Sequence, residues 1–523
     1  MSTAEWRTLH RHTLVATAIV LTGLAMAAGV PTAIGIAAGT SAQVALAWVL
    51  PGVAVLVVGG VAVDHLRWRR TRYRVSPTSM ELRRGIVVVA NRSLARERIR
   101  SVDLGASPAL RILGLVKVTI GTGDGRQGGA GEQTLVLNPV SRDEGERLRT
   151  LLLDRGDPAS GGERADQPLA TWNPAWTGYA PLSFLTPLLA SSAVGAVFQV
   201  SEWFGRQQVP IQVTRDLAEA IGPWATLAGL VAGFAVAGAV ASSALFVEAW
   251  WGCRLDREPG GTLRVRRGLL TTRSVSLEER RIRGVEVVEP LGARSAGAAR
   301  LDVVATGISS DRKKELSVLV PAAPRRLVWA VAREVAGLPD AVALRAHPVR
   351  ARSRRLWRAG VAVVAMAAVV VAAAAGPLPR FWTWVIVGVT ALVSAGVIGL
   401  AWDGYRGLGH GLDERHLVVR RGSLRRSTVY LQRSGIIGWR IRQSLFQRRA
   451  GLMTFTATTA AGRGRYSIVD ADEHEGLQFA AGVVPGLLEP LLIRGGDAGV
   501  SLPAEPPRRG SEADNSPGDQ YRA

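Results

Sequence analysis

The chain has 523 residues, with 64 Lys and Arg against 42 Asp and Glu, a formal charge of +22, and one cysteine, Cys253. A single cysteine excludes an intramolecular disulfide framework, and the length allows three or four domains. Lysine occurs only at 117, 313 and 314, so the positive charge is arginine, and its placement carries more information than its amount.

In chain order, residues 13–63, 177–201, 220–247, 359–379 and 381–402 contain no Asp, Glu, Lys or Arg. A charge-free helix of about 18 residues or more can cross a bilayer core. The first run is long enough for two crossings, broken near Gly39 to Gln43. Six spans are therefore predicted, close to 13–38, 44–63, 179–201, 221–247, 358–375 and 381–402. They form transmembrane hairpins at 13–63, 179–247 and 358–402. A signal peptide competes for the first run, since Arg7 and Arg11 precede it and Ala25-Met26-Ala27 resembles a cleavage site. The second run follows after only a short connection and the hairpin recurs twice, which favours a retained span.

Arginines cluster beside the hairpins, at 67, 69, 70 and 72 and at 350, 352, 354, 355 and 358. The connections within hairpins hold only Arg206, Arg215 and Arg380. The positive-inside rule then puts both termini and the segments between hairpins in the cytoplasm of a multi-pass cell-membrane protein.

After each hairpin comes the same module. Arg83-Arg84-Gly85, Arg266-Arg267-Gly268 and Arg420-Arg421-Gly422 are each followed fourteen residues later by Ile99, Ile282 or Ile436. Twenty-nine residues after each of those glycines stands Gly114, Gly297 or Gly451. Fixed-register self-similarity marks one supersecondary unit used repeatedly. The modules span 72–154, 252–338 and 404–492, with residues 1–12 as a cytoplasmic N-terminus. A linker over 155–178 and a basic one over 339–357 connect the parts. The polar stretch 495–523 is expected to be disordered.

Within a module the pattern predicts strands, such as those holding Met80, Leu82, Ile86 and Val88, or Leu263, Val265 and Leu269. A clear pair covers 115–122 and 133–137, joined by a Gly-rich run. That run lacks the Gly-Lys-Ser/Thr ending of a phosphate loop. The other copies join their strands at 309–311 and 462–464. Each module closes with an amphipathic helix. Leu148, Leu151 and Leu152 mark the first, and Leu327, Val328, Val331 and Val335 the second. In the third, Asp470, Asp472 and Glu473 are placed in the first turn. The fold class is a multi-pass α-helical membrane protein with three cytoplasmic α+β modules, each a small barrel or sandwich capped by a C-terminal helix.

The Arg-Arg-Gly triplets, the Arg-Ile-x-x-Val segments at 98–102 and 281–285 and the Leu-Gly-Leu at 113–115 resemble the bacterial pleckstrin-homology (PH) membrane proteins of the YdbS/YdbT type, in their three-module form. The resemblance runs from about residue 6 to 494. It implies a PH-like barrel for each module and, for some members, protection of the envelope against antimicrobial compounds. The third copy departs from the pattern, with Ser434-Gly435 where the others have Glu97-Arg98 and Arg280-Arg281, and Trp439 in place of Val102 and Val285. A His-Pro before the hairpin is intact only at His347-Pro348.

The arginine pairs Arg83, Arg84, Arg266, Arg267, Arg420 and Arg421 are the candidate lipid- or partner-binding residues. Each basic side chain near an anionic leaflet gains about 1 kcal/mol, and three modules on one chain multiply such contacts. The alternative is a solvated turn. Gly114, Gly297 and Gly451 serve backbone geometry. An acid stands beside aromatics at the end of each hairpin: Asp64 with Trp68, Glu248 with Trp250 and Trp251, Asp403 with Trp402 and Tyr405. These acids are expected to pair with an arginine of their own module and fix its docking, or else to be solvated helix-end groups.

Seven histidines make no His-Glu-x-x-His pair, Cys253 has no partner, and no serine lies in a nucleophile elbow. No enzyme activity, metal or cofactor is expected. The expected partners are membrane lipids and other membrane proteins, or a further copy of the chain, and not nucleic acid. The reading is a non-enzymatic scaffold. Its alternative is a transporter or an accessory subunit of an export system, although transport coupled to ions usually leaves an ionisable residue at mid-membrane.

Overall fold

The computed structural model describes residues 6–501 apart from 86–88, 100, 122–133, 154–167, 259–260, 307–316, 341, 377–379, 489–492 and 495–499. Ile86, Val88, the connections at 123–129 and 309–311, most of the expected linker over 155–178 and nearly all of the tail lie outside these residues. Within the tail, Val500–Ser501 pairs with Ile493–Arg494.

The first repeat begins with strand β1 (Arg7–Thr8) and continues into helices α1 (Thr13–Gly39) and α2 (Ala42–Arg70). Ser41 starts α2 by accepting a hydrogen bond from the Val44 amide. Then follow β2 (Arg72–Val75), β3 (Ser79–Arg84), β4 (Ala90–Ala95), β5 (Ser101–Ala106), α3 (Pro108–Ile112), β6 (Leu115–Gly121), β7 (Thr134–Ser141) and α4 (Arg142–Leu153). Burial alternates along β5, where Val102, Leu104 and Ala106 point inwards, the period-2 pattern of a strand with one core face. In α4, Leu148 and Leu152 are buried while Leu151 is exposed.

The second repeat holds β8 (Ala170–Thr171), a 3-10 helix over Pro174–Leu182, α5 (Leu185–Trp203), α6 (Val209–Ile221) and α7 (Pro223–Trp250). Its module contains β9 (Arg254–Glu258), β10 (Thr262–Arg267), β11 (Thr272–Glu278), β12 (Ile282–Pro290), α8 (Leu291–Ser295), β13 (Ala298–Ala305), β14 (Val318–Pro324) and α9 (Arg325–Ala336). Gly337, in the left-handed conformation at φ 60°, ends α9. The third repeat holds α10 (Val349–Ala374), α11 (Arg380–Arg406), β15 (Gly409–Leu412), β16 (His416–Arg421), β17 (Arg425–Gln432), β18 (Ile436–Arg442), α12 (Leu445–Arg449), β19 (Leu452–Thr459), β20 (Arg465–Asp472) and α13 (Glu473–Val483).

Among the described residues, five helices are long and apolar enough to cross a membrane: α1, α2, α7, α10 and α11. The expected span at 179–201 differs. It is broken between the 3-10 helix and α5, which meet at a bend of 76°. The segment at 202–220 is not a bare loop, because most of it forms α6. Val209, Val213, Leu217 and Ile221 recur every four residues there and are exposed, the spacing of one helical face.

Two features of the topology were not expected. The first two modules each take a strand from the segment ahead of their hairpin, and the third makes a single bridge there. β1 pairs with β2 (Arg7 with Tyr73) and β8 with β9 (Ala170 with Leu255), and Arg345 forms a bridge with His410. The hairpin is thus an insertion between the first two strands of its own module. The second feature is sheet sharing. One sheet runs β7-β6-β5-β11-β10-β9-β8 and another β14-β13-β12-β17-β16-β15. The later strands of one repeat therefore pair edge to edge with the early strands of the next. The sheet β1-β2-β3-β4 opens this array and β18-β19-β20 closes it.

Each core lies between an early and a late half of one repeat. The first joins Tyr73, Met80 and Leu82 to Val118, Ile120, Leu137 and Leu148. The second joins Leu255 and Leu263 to Val285, Leu301 and Val331, and the third joins Leu417 and Leu431 to Phe455, Ile468 and Leu477. Asp470 is not in the first turn of α13. It belongs to β20 and is buried, with φ 61°. Asp472 caps the helix instead, accepting from the His474 and Glu475 amides.

Candidate membrane-facing site

Each Arg-Arg pair ends the second strand after its hairpin, and in the second and third repeats the glycine that follows starts a tight turn. Gly268 and Gly422 have φ of 112° and 99°. A Cβ there would come within 1.9 Å of the Thr271 carbonyl oxygen and 2.2 Å of that of Arg425, so only glycine is accommodated. Gly114, Gly297 and Gly451 are also left-handed, at φ 66°, 70° and 60°, each following the short helix α3, α8 or α12.

The turns lie against the ends of the long helices. In the second repeat the Gly268 amide donates to the Trp251 carbonyl at 2.9 Å and the Leu269 amide to the Glu248 carbonyl at 2.9 Å. The Thr271 amide donates to Glu248 Oε1 at 3.0 Å. The Arg267 guanidinium lies over Trp250, 3.9 Å from the ring centroid, within cation–π range. In the third repeat Asp403 is the hub. It accepts from Ser423 Oγ at 2.8 Å, from Arg426 Nη2 at 2.9 Å and from Arg294 Nη2, of the preceding repeat, at 2.8 Å.

The three acids therefore play different parts. Asp403 ties its helix to two modules, and Glu248 receives a backbone amide of its module. Asp64 accepts from Thr17 Oγ1 at 2.7 Å, a contact between α1 and α2. The six arginines also differ. Arg83, Arg84 and Arg266 are exposed, whereas Arg267, Arg420 and Arg421 are half-buried. Burial, then the neighbouring Arg463, lowers the pKa of Arg421; burial and Arg264 do the same to Arg266.

Sequence reasoning missed the short helices as docking elements. Arg294 on α8 reaches Asp403, and Arg111 at the same repeat position on α3 donates to the Leu269 carbonyl of the next repeat. The Leu291 amide donates to the Leu424 carbonyl at 2.8 Å. The signal was present, since Arg111 and Arg294 both stand twelve residues after the repeat isoleucine. Part of the basic cluster ahead of the third hairpin is occupied too. Arg350 pairs with Asp472 at 3.3 Å, and Arg354 and Arg355 with Asp470. Beside these anchors, large apolar side chains stand free of the modules: Leu270 and Leu424 in the turns, and Ile112, Leu445 and Phe446 in the short helices. Phe446 lies 6.1 Å from Trp357 of α10.

Residues 19–156 and 359–480 match the model of the bacterial PH domain. Those two regions are bacterial PH domains. The chain is also similar to the UPF0699 transmembrane protein YdbT of Bacillus subtilis (strain 168), 32% identical over 95 residues. That stretch covers 18% of each chain, far less than two thirds of the relative's length. No solved structure matches the chain. With its long apolar helices this bacterial PH-domain protein is membrane-associated. Among the described residues, no group of three or more His, Cys, Asp or Glu could hold a metal ion.

Proposed function

We propose that the chain is a non-enzymatic, multi-pass cell-membrane protein whose three PH-like modules form one continuous platform on the cytoplasmic leaflet, with both termini on that side. The platform contacts lipid headgroups through exposed arginines and inserts apolar side chains beside them. The observation that carries this reading is the seating of the Arg-Arg-Gly turns on the ends of the long helices, at Trp251 and Glu248 and at Asp403. A side chain tied to the end of a membrane span sits within a Debye length of the surface, where each arginine gains about 1 kcal/mol from anionic lipid. Exposed Leu270, Leu424, Leu445 and Phe446 in the same zone match the apolar half of an interfacial contact. The arginines of this zone are divided between holding the modules and facing outwards, and Arg83, Arg84 and Arg266 are of the second kind.

Because modules share sheets and borrow strands from ahead of their hairpins, the test uses the full chain. Reconstituted into nanodiscs of neutral or anionic phospholipid, the chain is followed by hydrogen exchange. Slower exchange around residues 79–84 and 262–278 in anionic discs, reversed by salt and lost in Arg83→Ala/Arg84→Ala/Arg266→Ala, is expected. Equal exchange in both lipids would overturn the headgroup reading and move attention to protein partners.

A further inference from the structure

The sheet-sharing junctions have a fixed register. Ser101, two residues after Ile99, faces Leu277, five residues before Ile282. Gly284, two after Ile282, faces Leu431, five before Ile436. The same rule applied to the two open edges of the array places β18 of one chain against β4 of another, with Gly438 facing Leu94 and Ile441 facing Asn91. Among the described residues β4 pairs only with β3 and β18 only with β19. The modules are tethered to spans at the same end, so two chains in one membrane present these edges at one height. Head-to-tail joining of copies is thus the geometry that the internal junctions prescribe, and it would propagate unless it closed on itself.

The residues at the centre of that contact oppose it. Four residues after the repeat isoleucine the internal junctions carry acids, Asp103 and Glu286, while the open edge carries Arg440. Those acids face Val275 and Val429, seven residues before the next isoleucine. The corresponding residue on the open edge β4 is Arg92. A copy-to-copy junction would therefore set Arg440 directly opposite Arg92. Arg442, exposed like both of these, would add a third charge two pairs along, on the same face. Like charges directly opposite on neighbouring strands are destabilising, and charged side chains on an edge are a known guard against edge-to-edge association.

We infer that arginines 92 and 440 cap the two ends of the module array and prevent a second copy of this chain from extending its sheets. The cap is independent of any lipid contact, since it concerns strand edges and not the span-proximal turns.

A charge-swap cycle on the full chain in detergent micelles tests it, with mass measured by light scattering across a concentration series. The wild type stays at one copy. Arg440→Glu alone, or Arg92→Glu alone, puts opposite charges face to face and tightens association by about tenfold or more. The double variant Arg92→Glu/Arg440→Glu restores like charges and returns to one copy. Both positions are exposed, so folding is expected to survive, and exchange protection in β5 and β12 verifies it. Asn91→Cys and Ile441→Cys in a Cys253→Ala background crosslink between chains only in the single-swap variants. Folded single-swap variants that remain at one copy would overturn the proposal. Wild-type chains that already crosslink through 91 and 441 would overturn it equally.

Discussion

The junction between the first and second repeats and that between the second and third use one register and different side chains. At the first, Arg264 is buried and bridges repeats. Its Nη2 lies 2.5 Å from Glu146 of α4 and its Nη1 3.2 Å from Glu258, and Arg149 of α4 returns to Glu258 at 2.6 Å. Burial alone would raise the Glu146 carboxyl, but hydrogen bonds from Arg264 and Arg149 hold it below its ordinary value. At the second, the acid is the buried partner. Glu286 accepts from Ser427 Oγ at 2.6 Å and from Arg463 Nη2 at 2.5 Å, with Asp302 buried beside it. The backbone ladder is what the repeat preserves. Each bond nets about 1 kcal/mol, so a six- or seven-residue pairing outweighs any single ion pair and leaves the charges free to diverge.

The largest break in this comparison should come from Arg264→Ala. It leaves two carboxylates short of a buried partner and should cost about 3 kcal/mol. Hydrogen exchange is expected to rise in β5 and β11 and to stay unchanged in β12 and β17. A uniform rise would mean that the junctions unfold as one unit.

Acid should act mainly on the third repeat. His347 is 5% exposed, its ring is 5.1 Å from that of His410, and burial, then His410 and Arg355, lowers its pKa from 6.5 to about 3. A histidine depressed on folding stabilises fully above its unfolded value near 6.5. That contribution is lost as pH falls from 6.5 towards 3, at up to 1.4 kcal/mol per unit. By pH 4.5 the third repeat should have lost about 2.7 kcal/mol relative to pH 7.5, read from exchange in β18 to β20. His347→Phe should flatten the slope, and an unchanged slope would remove His347 as its source.

Glu286→Gln keeps the Ser427 contact and loses the charge facing partly exposed Arg463. An effect of about 1 kcal/mol on β12 and β17 is expected, smaller than that of Arg264→Ala. The smallest effect is ionic strength. Raising salt should loosen each junction by a few tenths of a kcal/mol, because Glu146 at the first and Arg463 at the second are both more than a third exposed.

Much of this was legible in the sequence. The hairpins follow from charge-free runs, and the repeat from the spacing of Arg-Arg-Gly to Ile99, Ile282 and Ile436. Leu148 and Leu152 signalled the closing helix by period alone. Sheet sharing was not legible, because Val102 or Val285 shows a strand its inward face and says nothing of which edge it meets. β1 and β8 were too short to give a pattern, being two residues each. The break before α5 was hidden by apolar content continuing through Pro181 and Pro187. The spacing of Val209, Val213, Leu217 and Ile221 could have found α6. Asp470 was placed by proximity to a helix start, while Arg354 and Arg355 hold it in a strand.

The insertion of each hairpin between the first and second strands of its module also sets an order of events during synthesis. Neighbouring strands of a sheet lie about 4.8 Å apart, so both ends of a hairpin must return to nearly one point before the module can close. The ribosome delivers β1 or β8 first, then the spans, and only afterwards the strand that pairs with it. Each early strand must therefore wait, unpaired, while the long helices between it and its partner are made. A chain whose hairpin fails to fold back cannot complete that sheet, and the next repeat inherits an unfinished edge.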